Sequence, residues 1–455
     1  MPGGKHFVVR NDLSGSSIIA FAVGEKWKAG NPFAMVATHV DSPCLKVKPV
    51  SIRSTSGYLQ LGVQTYGGGL WHTWFDRDLS AAGRVIVRTG TTSVETRLVK
   101  LDDPLVRVTS LAMHYNKQNP FEFNTETQLL PIAGLESAET LEKYEPPSKE
   151  ELDVSISNDA NVPIPDARSI NEEFVPTWRT SDATKRHLFG IVKRVAQKLQ
   201  VSQDDIIDFD LSLYDTQPSA IGGINSDFIY APRIDNLGMT FCSLIGFTRS
   251  LSNLSSDSTI RLLCCYDNEE IGSKTALGGA STFLPNTLRR LSYLRTPGSF
   301  NEHDRNPTLH DQALTRSFLI SADMIHAYHP AFPGYHESNH RPLLNAGIVF
   351  STGLRSSFVK NTPGTVLLSE IACWGSGVPA KMQHFTTPNN IGCGSTLGPI
   401  LATKLGVRTV DLGNAMLSMH SIREVCGRED VENAVEFLQG FWERFARVDE
   451  VFKID

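Results

Sequence analysis

The sequence has no long apolar run and no excess of one charge sign, and each absence excludes a class of protein. Its longest apolar stretches, such as Phe33–Ala37 and Leu262–Cys265, are far shorter than the roughly 20 residues that a membrane span needs. A net charge of -6, from 43 Lys and Arg against 49 Asp and Glu, favours neither nucleic acid nor an anionic membrane as a partner. A chain of 455 residues with this composition is long enough for a globular protein of two or three domains.

Cysteines are also few. The seven cysteines are odd in number and scattered, most of them among apolar neighbours. This usage is typical of reduced, packed thiols and not of a disulfide framework or a cysteine-rich zinc site. No apolar run of signal-peptide length precedes the polar segment Arg10–Asp12. Both observations predict a cytoplasmic protein, and they leave an additional vacuolar location open.

Short apolar runs at both ends of the chain predict buried strands. Such near-continuous hydrophobicity suits strands that are covered on both faces of a largely parallel sheet. Between them, Leu237–Leu251 and Val431–Phe445 carry apolar residues at three- and four-residue spacing, which is typical of helices. This alternation predicts an α/β fold with a doubly wound mixed sheet. The predicted strands are Phe33–Ala37, Ile260–Tyr266, Phe318–Ala322 and Val407–Leu412.

A different pattern between residues 51 and 110 predicts a β-rich module. Residues rich in Val, Thr, Tyr and Gly alternate there as in antiparallel strands. The clearest runs are Tyr58–Tyr66, Gly83–Arg88 and Leu105–Thr109.

The following stretch, 138–186, is charged, contains several prolines and lacks sustained periodicity. It predicts a long exposed loop or a partly disordered insert. The simplest division of the chain is an α/β domain formed by residues 1–50 and 206–455. An inserted β-rich domain at 51–205 interrupts it.

His39 and Asp41 stand where the first apolar strand ends. In open parallel sheets ligands gather at the carboxyl ends of strands, so a histidine there is well placed to bind a metal ion. A single histidine after a strand is more commonly a loop or packed residue. Asp41 favours the metal, because a carboxylate on the second ring nitrogen fixes the tautomer of a ligating imidazole.

Glu269 and Glu270 follow the predicted strand that ends at Tyr266. Adjacent acids on a solvated turn have no special role in most proteins. After a buried strand, however, neighbouring carboxylates can take two different roles beside a metal ion. One then ligates the ion while the other accepts a proton from an activated water molecule.

Three further candidates follow or precede apolar segments. Asp235 precedes an apolar helix, where Asp is also a favoured N-cap. Asp323 and His420 each follow a strand-like run. Taken with His39 and Glu270, they form a set of two histidines and three carboxylates near strand ends of what we expect to be one sheet. Such a set suits a pair of borderline divalent ions such as Zn²⁺, with one Asp able to bridge them.

The segment His336–His340 satisfies the H-E-x-x-H pattern of helical zinc sites. That pattern works only when a helix places both histidines on one face. Pro333, Gly334 and Pro342 surround the segment, and no apolar helical period accompanies it. We therefore predict a polar loop and not a zinc-binding helix.

These residues, with several further motifs, resemble the aspartyl aminopeptidases, a branch of the co-catalytic zinc peptidases. The similarity extends in order over nearly all of the chain. The motifs that carry it are Thr38–Pro43, Thr65–Gly69, Trp74–Leu79, Pro232–Leu237, Asp267–Ser273, Ser321–Met324, Asn339–Pro342, Cys393–Pro399 and Ser418–Arg423.

The resemblance implies a role for each candidate. His39 and Asp323 would hold one zinc ion, Glu270 and His420 would hold the second, and Asp235 would bridge the two. Glu269 would be the general base, which takes a proton from the attacking water and returns it to the leaving amine.

The resemblance also implies an assembly. The α/β domain would be catalytic, and the β-rich insert would form dimers that assemble into a tetrahedral dodecamer. His114 matches a histidine that in the family reaches a neighbouring subunit's active site, although a surface histidine at a strand end is the simpler interpretation. Substrates would be peptides with a free N-terminus, and neither nucleic acid nor membrane is an expected partner.

Three departures from the family pattern concern specificity and stability. Alignment without gaps from Asn345 to Phe350 places Ser351 where the family has a lysine that suits an acidic side chain. Asn389 and Asn390 replace the family's Asn-Asp pair. The family also has additional N-terminal helices before the counterpart of Phe7, and a protein without them would expose apolar surface.

The function that follows is hydrolysis of N-terminal residues, acidic ones by the resemblance, through a centre of two zinc ions per subunit. Three alternatives stay open: an aminopeptidase of neutral specificity, an amidase or deacylase on the same scaffold, and a catalytically weak assembly subunit.

Overall fold

The computed structural model describes residues 6–10, 15–90, 93–115, 122–136, 183–294, 306–353, 358–359, 361–374 and 381–452. The chain forms two compact units, one of residues 1–43 and 218–455 and the other of residues 44–217. The predicted loop at 138–186 lies outside the described residues except for its last four. Of these, Ala183–Lys185 form a 3-10 turn.

Strands and helices occupy most of the described residues. The strands are β1 His6–Arg10, β2 Ile18–Val23, β3 Phe33–His39, β4 Cys44–Thr55, β5 Tyr58–Tyr66, β6 Leu79–Arg88, β7 Val94–Lys100, β8 Ile132–Leu135, β9 Ile206–Asp215, β10 Ala220–Gly222, β11 Phe228–Ala231, β12 Ile260–Tyr266, β13 Phe318–Ala322, β14 Ile325–His326, β15 Ile348–Ser351, β16 Met382–Phe385, β17 Arg408–Gly413, β18 Ala415–Leu417 and β19 Glu424–Gly427. The α-helices are α1 Phe189–Leu199, α2 Ile234–Ser250, α3 Phe283–Ser292, α4 Leu309–Arg316, α5 Thr362–Cys373, α6 Leu397–Leu405 and α7 Arg428–Val451. No helix within these residues combines the length and apolarity that a membrane span requires.

The unit of residues 1–43 and 218–455 is built on an eight-stranded mixed sheet with the order β1-β2-β12-β3-β13-β17-β15-β16. Its centre is parallel, because β12, β13 and β17 all run in the direction of β3. The four apolar runs predicted as strands correspond to β3, β12, β13 and β17, and the two predicted helices correspond to α2 and α7. The predicted α/β fold class is confirmed.

Helices cover both faces of this sheet. Along β3, Ala34 and Val36 point to one side and pack in a cluster that includes residues of α2, α5 and α7. Phe33, Met35 and Ala37 point to the other side, towards residues of α3, α4 and α6. Both faces of β3 are therefore dry, which explains why its sequence is continuously apolar.

A second sheet of five strands in the same unit has the order β10-β11-β19-β18-β14. The edge strand β14 begins shortly after β13 ends, so the chain passes directly from the eight-stranded sheet to the five-stranded one. The first of the two residues between them, Asp323, donates its backbone amide to the carbonyl of Leu412 at 2.9 Å. A Cβ on Gly413 would lie 1.6 Å from the carbonyl oxygen of Asp323, so this passage requires glycine there.

The unit of residues 44–217 contains a six-stranded sheet with the order β7-β6-β9-β4-β5-β8. Its limits differ from the predicted insert of 51–205, because β4 and β9 both belong to this sheet. Pro49 and a register shift between Val47 and Ile52 interrupt the alternation of β4, which concealed its first half.

One predicted strand in this unit is wrong. Residues Leu105–Thr109 form isolated bridges and no continuous ladder. Val106 pairs with Leu79, whereas Val108 pairs with Phe75. Both valines are buried, so the apolar alternation reflects packing between two different neighbours and not one strand partner.

Candidate metal centre

Parallel pairing brings three acid- or histidine-bearing segments to one edge of the eight-stranded sheet. His39 is the last residue of β3 and is 2% exposed. It lies in register with Tyr266, the last residue of β12, after which the chain continues to Glu269 and Glu270. Asp323 follows the end of β13 directly. The carboxyl ends of these three parallel strands therefore supply four of the candidate side chains.

The other two ligand candidates come from the five-stranded sheet. Asp235 lies shortly after β11, and His420 lies in the turn between β18 and β19. The prediction that all the candidates follow strands of one sheet is wrong. The centre forms where the edge of one sheet meets two segments that leave the other.

Asp235 lies between the two histidines. Its Oδ1 is 3.4 Å from Nε2 of His39, and its Oδ2 is 3.2 Å from Nε2 of His420. The alternative N-cap interpretation is wrong, because the cap position of α2 is Arg233 and no side chain caps this helix. Asp235 itself is non-helical, with φ -82° and ψ 109°. Its carboxylate is thus placed to contact two groups at once.

Further short distances link the remaining candidates. Nε2 of His39 lies 3.4 Å from Oδ1 of Asp323, and Nε2 of His420 lies 3.4 Å from Oε1 of Glu270. The potential ligand atoms form three sets, and within each set they lie no more than 4.8 Å from one another. Any two of these sets share one residue. The sets are His39, Asp235, Asp323; His39, Glu269, Glu270; and Asp235, Glu270, His420.

Asp41 contacts both the imidazole of His39 and the turn that carries Glu269 and Glu270. Its Oδ1 lies 3.5 Å from Nδ1 of His39, and its backbone oxygen lies 3.1 Å from the same nitrogen. Its two carboxylate oxygens accept the backbone amides of Glu269 and Glu270, each at 3.1 Å. One carboxylate thus orients the imidazole and the adjacent acidic turn together.

The crowding of buried acids shifts their proton affinities. Burial and the neighbouring carboxylates raise the pKa of Glu269 to about 7 and that of Glu270 to about 8, against the opposing effect of the histidines. Burial likewise raises the pKa of Asp323 to about 6. Burial lowers the pKa of His39, but the carboxylates around it raise that pKa well above the usual value overall. The centre therefore attracts positive charge strongly.

The donor atoms fit a divalent cation. Oδ1 of Asp235 and Oε1 of Glu270 are buried and accept no hydrogen bond from any described residue. Buried carboxylate oxygens normally find a donor, so a bound cation would satisfy these two oxygens. Imidazole nitrogens and carboxylate oxygens are ligands that Zn²⁺ accepts.

Glu424 was not among the predicted site residues, yet it lies against this centre. It is the first residue of β19 and is 2% exposed. Its oxygens accept the backbone amides of Asp235 and His420. Burial and the charge of Asp235 raise its pKa to about 8. The motif Ser418–Arg423 ends one residue before it, and the strand that it begins carries no pattern of its own.

Two other predicted features are not among the three candidate ligand sets of the described residues. His114 belongs to the unit of residues 44–217 and is exposed. His336–His340 is not helical, and only a 3-10 turn at Pro333–Tyr335 precedes it. Nε2 of His336 accepts the backbone amide of His329, and His340 contacts Glu337. The prediction of a polar loop for this H-E-x-x-H segment agrees with the structure.

Ser351 ends β15, in register with Phe385 of β16 and Asp411 of β17. Its side chain is buried, and its hydroxyl makes no hydrogen bond with any described residue. An unpaired buried hydroxyl is uncommon in folded proteins. The position thus holds a small neutral group where the resemblance led us to expect a lysine.

Comparisons with known proteins agree with this fold. The family described as "Aminopeptidase I zinc metalloprotease (M18)" matches residues 1–442. An aspartyl aminopeptidase of Aspergillus oryzae is 43% identical over 464 residues, which cover 100% of this chain and 89% of the relative. Aspartyl aminopeptidase 4 of Saccharomyces cerevisiae is 42% identical over 454 residues, which cover 98% of this chain and 86% of the relative.

Solved structures of similar proteins have the same fold. A chain in the cryo-EM structure of the Ape4 and Nbr1 complex is 39% identical, with a TM-score of 0.82 and coverage of 100% of this chain and 79% of that chain. The crystal structure of prApe1 is 31% identical, also with a TM-score of 0.82, and covers 99% of this chain and 86% of that one.

A doubly wound α/β unit with a buried cluster of acids and histidines at its strand ends is typical of metal-dependent hydrolases. The family match over most of the chain makes the metal zinc and the reaction peptide hydrolysis. The chain belongs to the M18 aminopeptidase family of zinc metalloproteases.

Proposed function

We propose that this chain removes acidic N-terminal residues from peptides, through a centre of two zinc ions with Glu269 as general base. The observation that carries the proposal is the position of Asp235 between His39 and His420. A carboxylate that faces two histidines can serve two ion positions at once.

In this proposal, His39 and Asp323 hold one ion, Glu270 and His420 hold the other, and Asp235 bridges them. When bound, zinc supplies a Lewis acid that activates water and polarises the scissile carbonyl. Other residues of the chain orient the side chains that would hold the ions. Asp41 holds the imidazole of His39 and the turn that carries both glutamates.

Glu269 moves the proton. Its carboxylate takes a proton from the attacking water and delivers it to the nitrogen of the leaving amine. A pKa of about 7 suits this role, because a general base works best when its pKa lies near the operating pH.

The acidic preference is supported by the names of the relatives, which are aspartyl aminopeptidases. Ser351 favours a second candidate, an aminopeptidase of neutral specificity. Its hydroxyl carries no charge, and Phe385 lies beside it in the sheet register. A substrate carboxylate would find no positive charge at that position.

Assembly is also a proposal. One solved relative, 29% identical, is described as a mApe1 dodecamer of Saccharomyces cerevisiae. By analogy we propose that the unit of residues 44–217 pairs subunits, and that His114 reaches the centre of a neighbouring subunit. Size-exclusion chromatography with light scattering tests the assembly. His114→Ala should lower kcat without changing the assembled mass, and unchanged kcat would refute its role.

The decisive experiment on activity is a substrate panel. Hydrolysis of Asp-, Glu- and Leu-anilides is measured with and without a chelator, together with an N-acetylated Asp-anilide. The proposal predicts chelator-sensitive release from the Asp and Glu substrates. Activity that survives complete chelation would refute the metal mechanism. Preference for Leu would refute only the acidic specificity, and cleavage of the acetylated substrate would favour an amidase.

A further inference from the structure

Glu424 connects the two ligand candidates that come from the five-stranded sheet. Its Oε2 accepts the backbone amide of Asp235 at 3.0 Å, and its Oε1 accepts the backbone amide of His420 at 2.7 Å. Each oxygen of one buried carboxylate is therefore committed to the main chain of a different candidate ligand.

The sheet register explains how one side chain reaches both segments. Glu424 lies opposite Ala231, the last residue of β11, in an antiparallel pair. On its other side, β19 pairs with β18, where Leu417 lies opposite Val425. The segment with Asp235 leaves β11, and the segment with His420 leaves β18. Glu424 thus stands between two strands at the point where both segments depart.

Both of these segments have an irregular backbone. His420 has φ 65°, in the left-handed region that residues other than glycine rarely adopt. Asp235 interrupts the helical geometry of α2. Such conformations persist only when surrounding contacts hold them, and Glu424 supplies one such contact to each.

Asp41 provides the same kind of support for the segments that leave the eight-stranded sheet. Its two oxygens accept the amides of Glu269 and Glu270. The centre therefore rests on two buried carboxylates, one for the segments of the eight-stranded sheet and one for those of the five-stranded sheet.

We propose that Glu424 is a positioning residue that sets the placement of Asp235 relative to His420, and thereby the metal affinity of the centre. This inference rests on the proposed metal centre. The two hydrogen bonds of Glu424 described above go to the main chain of the candidate ligands and not to their side chains. Loss of such an outer partner typically costs about 10- to 100-fold in metal affinity or activity.

The test replaces Glu424 with Gln. The Glu424→Gln side chain keeps its size but has only one carbonyl oxygen, so its NH₂ group must face one of the two backbone amides. A matched control is Asp430→Asn. Asp430 is also fully buried, and its two oxygens accept the backbone amides of Asn345 and Gly347, neither of which is a candidate ligand.

Four quantities are measured on the full chain: Zn²⁺ affinity by competition with a chromophoric chelator, the visible absorption spectrum with Co²⁺, the melting temperature without metal, and kcat and KM. We expect both variants to lower the melting temperature of the metal-free protein. Only Glu424→Gln should weaken Zn²⁺ binding by about 10- to 100-fold, alter the Co²⁺ spectrum and lower kcat more than KM.

A Glu424→Gln protein with wild-type Zn²⁺ affinity and Co²⁺ spectrum, and a lower melting temperature only, would overturn the proposal and leave Glu424 a structural residue. Equal losses of metal affinity in both variants would overturn it as well, because the effect would not be specific to the ligand segments. Failure of the wild-type chain to bind any divalent metal would instead refute the proposed centre itself.

Discussion

A buried acidic cluster in one unit contrasts with exposed ion pairs in the other. In the unit of residues 1–43 and 218–455, His39, Asp235 and Asp323 are buried together without a Lys or Arg partner in the described cluster. In the unit of residues 44–217, carboxylates such as Asp103 and Glu126 form exposed pairs with Arg194 and Lys48. The first arrangement costs stability unless a cation completes it, whereas the second is nearly neutral.

The contrast shows where function lies in this fold. Exposed ion pairs are screened by water and contribute little, so they carry no functional information. Buried acids such as Glu269 and Glu270 have raised pKa values, and a bound cation would satisfy the charge of such a cluster. The predictions below test this contrast, from the largest expected effect to the smallest.

Changing Glu269 to Gln should abolish nearly all turnover. Loss of a general base typically costs about 10²- to 10⁴-fold in rate. Metal content should stay at the wild-type level, because Glu269 is the base and not a proposed ligand. Steady-state kinetics and metal analysis check both points. Glu126→Gln is the matched exposed control and should leave both unchanged, whereas near-wild-type kcat in Glu269→Gln would remove Glu269 from the mechanism.

Removal of metal should destabilise the protein. A ligand at 100 times its dissociation constant stabilises the native state by about 2.7 kcal/mol. Thermal unfolding is followed with and without a chelator at fixed protein concentration. We expect a lower melting temperature in the chelator, restored by added Zn²⁺. If neither the chelator nor added Zn²⁺ changed the melting temperature, the buried acids would be compensated by protons alone.

Changing Ser351 to Lys should shift specificity towards acidic residues. A hydrogen bond to a charged group contributes about 1.5 to 3 kcal/mol, so the ratio of kcat/KM for Asp- over Leu-anilide should rise by about tenfold or more. Ser351→Ala separates the effect of charge from that of the hydroxyl. An unchanged ratio in Ser351→Lys would mean that this position does not contact the substrate side chain.

Breaking an exposed pair should have the smallest effect. Asp103→Asn removes the partner of Arg194, and we expect the free energy of unfolding to change by less than about 1 kcal/mol. Urea unfolding measures the change. A larger loss would show that surface pairs in this unit contribute more than their exposure indicates, which would weaken the contrast between the units.

Much of the fold could be predicted from local patterns, because β12 and β13 are buried on both faces and read as continuous apolar runs. The unit boundary was harder. Pro49 conceals the alternation in β4, and β9 lies far from its sheet partners in the sequence. The candidate ligands could be recognised in the sequence because each follows a recognisable strand or precedes a helix.

Glu424 could not be predicted in this way. Its contact with Asp235 depends on the pairing of β19 with β11, and these two residues are 189 positions apart in the sequence. Likewise, the two-sheet origin of the centre is a tertiary property. A residue whose role is to accept main-chain amides leaves no signature in its own neighbourhood.

The measurement that tests the central claim most directly is the zinc content of the purified protein by inductively coupled plasma mass spectrometry. It compares the wild type with Asp235→Asn. The proposed bridging position predicts two zinc ions per subunit in the wild type and loss of at least one of them in the variant. One or no zinc in the metal-saturated wild type, or two in Asp235→Asn with unchanged affinity, would contradict a centre bridged by Asp235.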